Sequence, residues 1–281
     1  MDLVDQMNRS VYTVVLSIAG SDSGGGAGIQ GDLKTISALG CFGTTAITAV
    51  TVQNTMGVTA IYQIPADIVS AQVEAVIEDM KPSAIKIGMV YSAELGRSLV
   101  SILKRYPTIP VVCDPVMVAT SGDRLMREDT ISVLKEQLFP LAQLVTPNLD
   151  EAGILADMDI RNVKDMKLAA EKILLFGSDA VLIKGGHLKG EDLFDVYLNK
   201  NGDHHVFHSK AIKTNNTHGT GCSLSSAIAS YWAVGETMID AISKAKEYLQ
   251  QAIAHGKDVK TGDGHGPLNH FFDPEKLRIK K

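Results

Sequence analysis

The sequence predicts a doubly wound α/β domain in which a largely parallel sheet is covered by helices on both faces. The first observation is that short apolar or β-branched runs alternate with longer segments of helical periodicity, a rhythm typical of parallel sheets. The second is that Gly-rich segments follow predicted strands, where ligands bind in such sheets. The third is that the 281 residues contain no internal repeat or linker-like run. We therefore expect residues 1–281 to form one domain, with 1–11 as a poorly ordered N-terminal extension.

Six strands are predicted at residues 12–18, 44–52, 84–87, 111–113, 144–146 and 180–183. Between them, helical periodicity predicts helices at 30–39, 66–79, 93–104, 130–138 and 163–176, each with an apolar face. After residue 183 the pattern changes to a β-hairpin at 193–198 and 204–207. Two long helices at 221–234 and 238–254 and a Gly-rich tail complete the chain.

Composition and charge restrict the classes of function. Hydrophobic residues make up 45% and charged residues 21% of the chain, as in ordinary globular proteins. The net charge of −5 gives no basic footprint for nucleic acid, which favours a small-molecule substrate. No window approaches the roughly 20 apolar residues of a membrane span, and the first ten residues lack the apolar region of a secretory signal. Three scattered cysteines indicate a reducing compartment, so a cytoplasmic protein is expected.

A Gly-rich turn, Gly219-Thr220-Gly221-Cys222, precedes a run rich in Ala, Ser and Leu that favours a helix. Such a turn directs backbone N–H groups and the positive end of the helix dipole at one spot, which suits a transferring phosphoryl group. The same dipole favours the thiolate form of Cys222. Short Gly turns are common, so the spacing alone leaves a plain helix cap with a buried cysteine equally open.

A second Gly-rich segment, residues 19–28, follows the first strand and matches neither GxGxxG nor GxxxxGK[ST]. Four glycines within positions 24–28 favour a flexible loop whose backbone approaches a substrate, over an ordinary strand–helix connection. Asp32, just inside the following helix, is either an acceptor for a substrate or a group that favours the helix dipole.

Other candidate residues also stand where predicted strands end. Asn148 and Glu151 lie three residues apart on the first turn of a helix, where they form either a capping box or a Mg²⁺ site of oxygen ligands and water. Asp114 follows one strand, and Lys184, followed by two glycines, can reach phosphates at the end of another. Met89 packs against a flat ring or fills the core.

Zinc is not expected, because the sequence has neither HExxH nor clustered Cys/His spacing. His218 is interpreted as part of the shape of its loop or as a hydrogen-bond partner.

Taken together, these segments resemble the bacterial hydroxymethylpyrimidine/phosphomethylpyrimidine kinases of the ribokinase superfamily. The resemblance runs in order from about residue 14 to about residue 271. It rests on SIAGSDSGGGAGIQ from Ser17, QNT from Gln53, KIGM from Lys86, DPVM from Asp114, TPNL from Thr146, KGGH from Lys184 and NTHGTGC from Asn216.

The resemblance implies a ribokinase-like three-layer α/β/α sandwich with a central mostly parallel sheet, and a homodimer. It implies an enzyme that uses ATP and Mg²⁺ to phosphorylate 4-amino-5-hydroxymethyl-2-methylpyrimidine and then its monophosphate, with loop mobility at 24–28 and 119–122 governing the second step. In this reading the pyrimidine site consists of Gln53, Gly20, Asp32, Met89 and Val116. The anion hole is Gly219, Thr220 and Gly221, Lys184 and Asp114 lie at phosphate, and Asn148 with Glu151 organises Mg²⁺.

One departure from the wider superfamily concerns the general base. Sugar kinases there carry Gly-Ala-Gly-Asp, whereas this chain has Cys222 at the Asp position, and a thiolate at a helix N-terminus can accept a proton near neutral pH. Some pyridoxal kinases share that cysteine, so a pyridoxal/pyridoxine kinase is the alternative activity. A non-catalytic vitamin- or nucleotide-binding regulator is the alternative class, disfavoured because Lys184, Glu151 and Cys222 are all present.

Overall fold

A computed structural model of the chain describes residues 10–117, 126–186 and 190–280. Residues 1–9 of the predicted extension, the loop at 119–122 and His187 lie outside these ranges. None of the helices in the described ranges combines the length and apolarity needed to cross a membrane.

Within the described ranges, the strands form a nine-stranded sheet and a separate two-stranded ribbon. They are β1 Val11–Tyr12, β2 Val14–Asp22, β3 Phe42–Asn54, β4 Gly57–Gln63, β5 Ala84–Ile87, β6 Val111–Cys113, β7 Leu144–Val145, β8 Ala180–Ile183, β9 Asp192–Asn199, β10 His204–Lys210 and β11 Ile279–Lys280. The α-helices are α1 Gly28–Ala38, α2 Ala66–Met80, α3 Ala93–Leu103, α4 Glu128–Val133, α5 Leu149–Ala156, α6 Val163–Leu174, α7 Thr220–Ala233 and α8 Met238–Gly256. A π-helical turn, Leu134–Leu138, and a 3₁₀ turn, Phe139–Leu141, continue α4.

The large sheet has the order β10-β9-β8-β7-β6-β5-β2-β3-β4. Its six middle strands, from β8 to β3, pair in parallel, and the outer strands β4, β9 and β10 pair antiparallel. The predicted mostly parallel sheet is confirmed. Because parallel strands all end at one edge, the segments after β5, β6, β7 and β8 meet there.

Helices cover both faces of the sheet and give two hydrophobic cores. Alternate strand residues point to opposite faces: Val111 and Cys113 of β6 belong to one core and Val112 to the other. Helices α2 to α6 pack on the first face, and α1, α7 and α8 pack on the second. The predicted three-layer sandwich is therefore confirmed.

The antiparallel edge strand β4 was not predicted. Its seven residues are exposed or only partly buried, so they lack the apolar run that signals a central strand. Pairing with β3 is what makes this segment a strand, because β propensity depends on the neighbours available in the fold.

Candidate active site

A cavity of about 630 Å³ lies at the carboxyl edge of the parallel strands. This size is typical of a site for a small molecule or cofactor. Twelve of the thirteen candidate residues line it: Gly20, Gln53, Met89, Asp114, Val116, Asn148, Glu151, Lys184, Gly219, Thr220, Gly221 and Cys222. The fold thus brings together segments that are spread over about two hundred positions of sequence.

The turn before α7 provides an uncapped helix N-terminus in the cavity. Gly219 is the N-cap residue with φ +86°, in the left-handed region, and it gives the helix no side-chain cap; the first turn contains no acidic residue. A carbon added to Gly219 would lie 1.9 Å from the carbonyl oxygen of Gly26. Glycine is therefore required by both backbone angle and space, and the helix end is left for an anion.

Lys184 stands beside this turn in an ion pair. Its Nζ lies 2.6 Å from Oδ1 of Asp114, and a carbon added to Gly221 would lie 3.3 Å from the same Nζ. Burial favours neutral Asp114, but the Lys184 ammonium, supported by Lys86, holds the pKa of that carboxyl below its usual value. Lys184 has its pKa raised in turn, because the carboxylates of Asp114 and Glu151 outweigh burial. A fixed positive charge thus faces the turn at residues 219–222, which is named the anion-binding turn after its predicted role.

Asn148 and Glu151 form the capping box that the sequence left as one alternative. The Asn148 side chain accepts from the Glu151 N–H at 2.9 Å, and Oε2 of Glu151 accepts from the Asn148 N–H at 2.8 Å. Oε1 of Glu151 accepts from the N–H of Met117 at 3.3 Å. Burial raises the pKa of Glu151 to about 7, opposed by Lys184. Asn148 and Glu151 therefore cap the helix and also line the cavity.

Asp32 is the one candidate that does not line the cavity, and its contact with substrate stays a prediction. It is fully buried and lies 2.8 Å from Nζ of Lys86, because the inward face of α1 packs against the sheet. Lys86, not Asp32, lines the cavity wall. Gly20 and Met89 face each other there, since a carbon added to Gly20 would lie 2.7 Å from Cε of Met89.

Cys222 lies in the first turn of α7 and is partly exposed, whereas Cys41 and Cys113 are buried. Burial raises the pKa of its thiol to about 11, although the nearby Lys86 ammonium opposes this. Burial therefore opposes the thiolate that the helix dipole favours, and the role of Cys222 as the base stays a prediction.

The Gly-rich segment after β2 is a hydrogen-bonded turn held by Asp22. Its carboxylate accepts from the N–H groups of Gly24 at 2.8 Å, Gly26 at 3.1 Å and Ala27 at 2.9 Å. Gly24, Gly25 and Gly26 do not line the cavity, whereas Gly20, Ala27 and Gly28 of the same segment do; the approach of this loop to a substrate stays a prediction. They pack against neighbouring chain instead: a carbon added to Gly26 would lie 2.3 Å from Cδ2 of His218.

His218 joins this turn to the anion-binding turn. Its Nε2 lies 2.8 Å from Oδ2 of Asp22 and 3.5 Å from Nε2 of Gln53, and its N–H donates to the carbonyl of Gly266. The prediction that His218 is a hydrogen-bond partner is confirmed. Asp22 was not predicted, because its role depends on a contact with His218, which lies 196 positions away in the sequence.

The outer half of the cavity is formed by residues that the sequence analysis did not select. Side chains from β9, the segment after β10 and α8 line it, namely Leu193, Ile212, Leu249 and Ile253, with Gln250. Asp195 and Lys246 form an ion pair there, and Asp195 accepts from the N–H of Gly185 at 2.8 Å. Apolar walls of this kind suit a flat base, but no local pattern marks them in the sequence.

Comparison with known proteins agrees with this site. A family model described as phosphomethylpyrimidine kinase matches residues 22–269. The chain belongs to the phosphomethylpyrimidine kinase family. A hydroxymethylpyrimidine/phosphomethylpyrimidine kinase from Rhizobium meliloti (strain 1021) is 50% identical over 260 residues, which are 92% of this chain and 97% of that protein.

Solved structures place the phosphomethylpyrimidine kinase family beside pyridoxal kinases. The phosphomethylpyrimidine kinase from Clostridium difficile 630 has 45% identity and a TM-score of 0.76, covering 85% of this chain and 99% of that one. A pyridoxal kinase from Staphylococcus aureus, solved with AMP-PCP and pyridoxal, has 30% identity and a TM-score of 0.84, covering 96% and 98%. The ribokinase-like fold is shared by both groups.

Proposed function

We propose that this chain transfers the γ-phosphoryl group of ATP to the hydroxymethyl group of 4-amino-5-hydroxymethyl-2-methylpyrimidine, and then phosphorylates the monophosphate, in thiamine biosynthesis. One observation carries the proposal: the anion-binding turn, the Lys184 ammonium, Gln53 and Met89 all line a single cavity. Membership of the phosphomethylpyrimidine kinase family supports the same activity. Positioning and charge stabilisation, which these groups supply, are the main sources of catalysis in phosphoryl transfer.

The pyrimidine and the nucleotide base occupy different parts of the cavity. The pyrimidine lies between Gln53, Gly20, Met89 and Val116, with its hydroxymethyl group toward Cys222. The adenine lies in the outer half, among the apolar side chains of β9 and α8. The triphosphate then spans the space between them, where Lys184 and the N–H groups at Gly219, Thr220 and Gly221 neutralise the charge on the transferring group.

The side chains present also fit a magnesium ion. Asp114 and Glu151 supply hard oxygen atoms in the same part of the cavity, and no three His, Cys, Asp or Glu side chains converge within the described residues. Mg²⁺ would therefore be held by nucleotide phosphates and its own waters, with Glu151 and Asn148 ordering those waters. When bound, the ion neutralises phosphate charge. Asp114 itself holds Lys184 at the correct place.

Three further properties stay predictions. The chain is proposed to act as one kinase domain, which the spread of cavity residues from Ala19 to Ile253 supports. A homodimer follows from the family resemblance, and a cytoplasmic location from the cysteine usage.

The activity is tested by measuring ADP release with the pyrimidine, its monophosphate and pyridoxal side by side. We expect both pyrimidines to be substrates, and kcat/KM for the hydroxymethyl compound to exceed that for pyridoxal. The likeness to pyridoxal kinases makes pyridoxal the relevant competitor, because both rings carry a CH₂OH group. A higher kcat/KM for pyridoxal would assign the chain to the alternative activity.

A matched pair of helix caps separates the structural and functional roles of Asn148. Asn148→Ala removes the cap of α5, and Asn162→Ala removes the similar cap of α6, where the side chain accepts from Lys164 and Asp165. Each is expected to lower the free energy of unfolding by about 1 kcal/mol. Only Asn148→Ala should raise the Mg²⁺ concentration needed for half-maximal turnover, because Asn162 does not line the cavity. If both variants needed the same Mg²⁺ concentration for half-maximal turnover, Asn148 would have only a helix-capping role.

A further inference from the structure

A buried ion pair forms part of the cavity wall. Nζ of Lys86 lies 2.9 Å from Oδ1 and 2.8 Å from Oδ2 of Asp32, and both side chains are 0% exposed. The same carboxylate accepts from the hydroxyls of Ser17 at 2.5 Å and Ser226 at 2.7 Å. The cluster joins β2, α1, β5 and α7, so all four elements that hold it also border the site.

Stability alone is a weak reason for this pair. Two fully buried charges lose their hydration, and apolar side chains of similar volume often stabilise a core as well or better. Space is nevertheless kept for the ammonium: a carbon added to Gly88 would lie 2.8 Å from Nζ of Lys86 and 3.1 Å from Cβ of Ala19. An ammonium has three N–H donors; within the described residues Lys86 bonds to both carboxylate oxygens of Asp32, and it also lines the cavity.

The charge of Lys86 lies near Cys222: both residues line the cavity, and Ser226, one turn of α7 after Cys222, donates to the Asp32 carboxylate that Lys86 binds. Apart from burial, which raises the pKa of Cys222 to about 11, Lys86 is the strongest influence on this thiol, and it favours the thiolate. The reverse also holds, since Cys222 is second only to Asp32 among the charges that raise the pKa of Lys86. Several groups on the surrounding elements interact with Cys222. Four are charged, namely Lys86 of β5, Asp32 of α1, Asp114 after β6 and Lys184 after β8, and the fifth is the N–H of Gly28.

We propose that Lys86, held in place by Asp32, is a positioning residue for phosphoryl transfer and acts as the fixed positive charge that stabilises the thiolate of Cys222. This inference deepens the proposed function and rests on it. As the substrate oxygen bonds to the γ-phosphorus, its O–H bond breaks and the proton moves to Sγ of the Cys222 thiolate. The P–O bond to ADP breaks and its electron pair leaves with ADP. Cys222 then returns the proton to water, while Lys86 stays protonated and Asp32 ionised.

The test measures the rate at which iodoacetamide alkylates the full chain without substrate, as a function of pH. Cys222 is the partly exposed cysteine and the other two are buried; Cys222→Ala identifies the signal. Lys86→Met is expected to slow alkylation at pH 8 by about tenfold or more, since loss of a neighbouring positive charge moves a pKa by about one unit or more. Turnover should fall about 100-fold, with the KM for ATP changed less than about threefold.

Two further variants separate charge from packing. Lys86→Met leaves Asp32 without its ammonium partner, so the double variant Asp32→Asn, Lys86→Met removes both charges and is the one expected to keep the fold. It should show an alkaline shift smaller than that of Lys86→Met, because the charge of Asp32 opposes the thiolate. Ser17→Ala loosens the same cluster without changing its charge and should leave the alkylation profile in place.

The proposal is overturned if both Lys86 variants alkylate like the original chain, or if Ser17→Ala shifts the profile equally. It is also overturned if the profile shifts while turnover stays unchanged, because the thiolate would then have no part in the reaction. A chain that alkylates as expected but does not release ADP with either pyrimidine contradicts the proposed function instead.

Discussion

Replacing Gly219 with alanine is expected to reduce turnover by about 100-fold or more, the loss that follows removal of a donor to a developing charge. The φ of Gly219 is +86°, and the added carbon would stand 1.9 Å from the carbonyl oxygen of Gly26. The turn therefore has to move, and its N–H groups would no longer point at the transferring phosphoryl group. The measurement is kcat with the pyrimidine, together with the midpoint of thermal unfolding.

Gly202 offers a matched control. It lies in the turn between β9 and β10 with φ +88°, and nothing stands within 4 Å of an added carbon. Gly202→Ala therefore carries the same backbone strain, about 1–2 kcal/mol, without the clash and away from the cavity. It should lower the unfolding midpoint and leave kcat in place. If Gly219→Ala kept full turnover, the turn would be no more than a helix cap.

Lys184→Met is expected to lower kcat/KM by about 100- to 1000-fold, because it removes the positive charge beside the anion-binding turn. It also removes the ammonium partner of Asp114, whose side chain is 2% exposed, so the free energy of unfolding should fall as well. Adding Asp114→Asn to Lys184→Met removes the uncompensated carboxylate and should restore stability without restoring activity. Recovery of turnover in that double variant would show that the lysine serves the fold alone.

An exposed ion pair gives the comparison for this variant. Nζ of Lys200 also lies 2.6 Å from a carboxylate, that of Asp179, but the two side chains are 63% and 43% exposed. Exposed pairs contribute about 0–1 kcal/mol. Lys200→Met should therefore change neither the unfolding midpoint nor kcat/KM measurably, although the distance is the same.

The central strands of the sheet could be predicted from the sequence alone. The bounds predicted for β5, β6 and β8 are those observed, because a strand buried on both faces is a compact apolar run with clear ends. Strand β4 could not be predicted in this way, since its exposed face leaves little pattern and its pairing with β3 depends on the fold.

The candidate site was predictable where position along the chain decided it. Lys184, Asp114 and Asn148 follow strands, and parallel topology alone brings such residues to one edge. The buried ion pair of Asp32 was not predictable, because its partner Lys86 is 54 residues away and helix spacing does not show which face is buried. For Cys222 the sequence showed the helix dipole but not the depth of burial, and burial has the larger effect on the thiol.

The contact between Asp22 and His218 has a consequence for the synthesis of the chain. The two residues are 196 positions apart, so at about 5–20 residues per second a ribosome delivers the second about 10–40 s after the first. During that interval the turn after β2 lacks the histidine that contacts Asp22, and the nascent chain lacks the helix end that is proposed to bind phosphate. The cavity is therefore completed only after α7 has been synthesised.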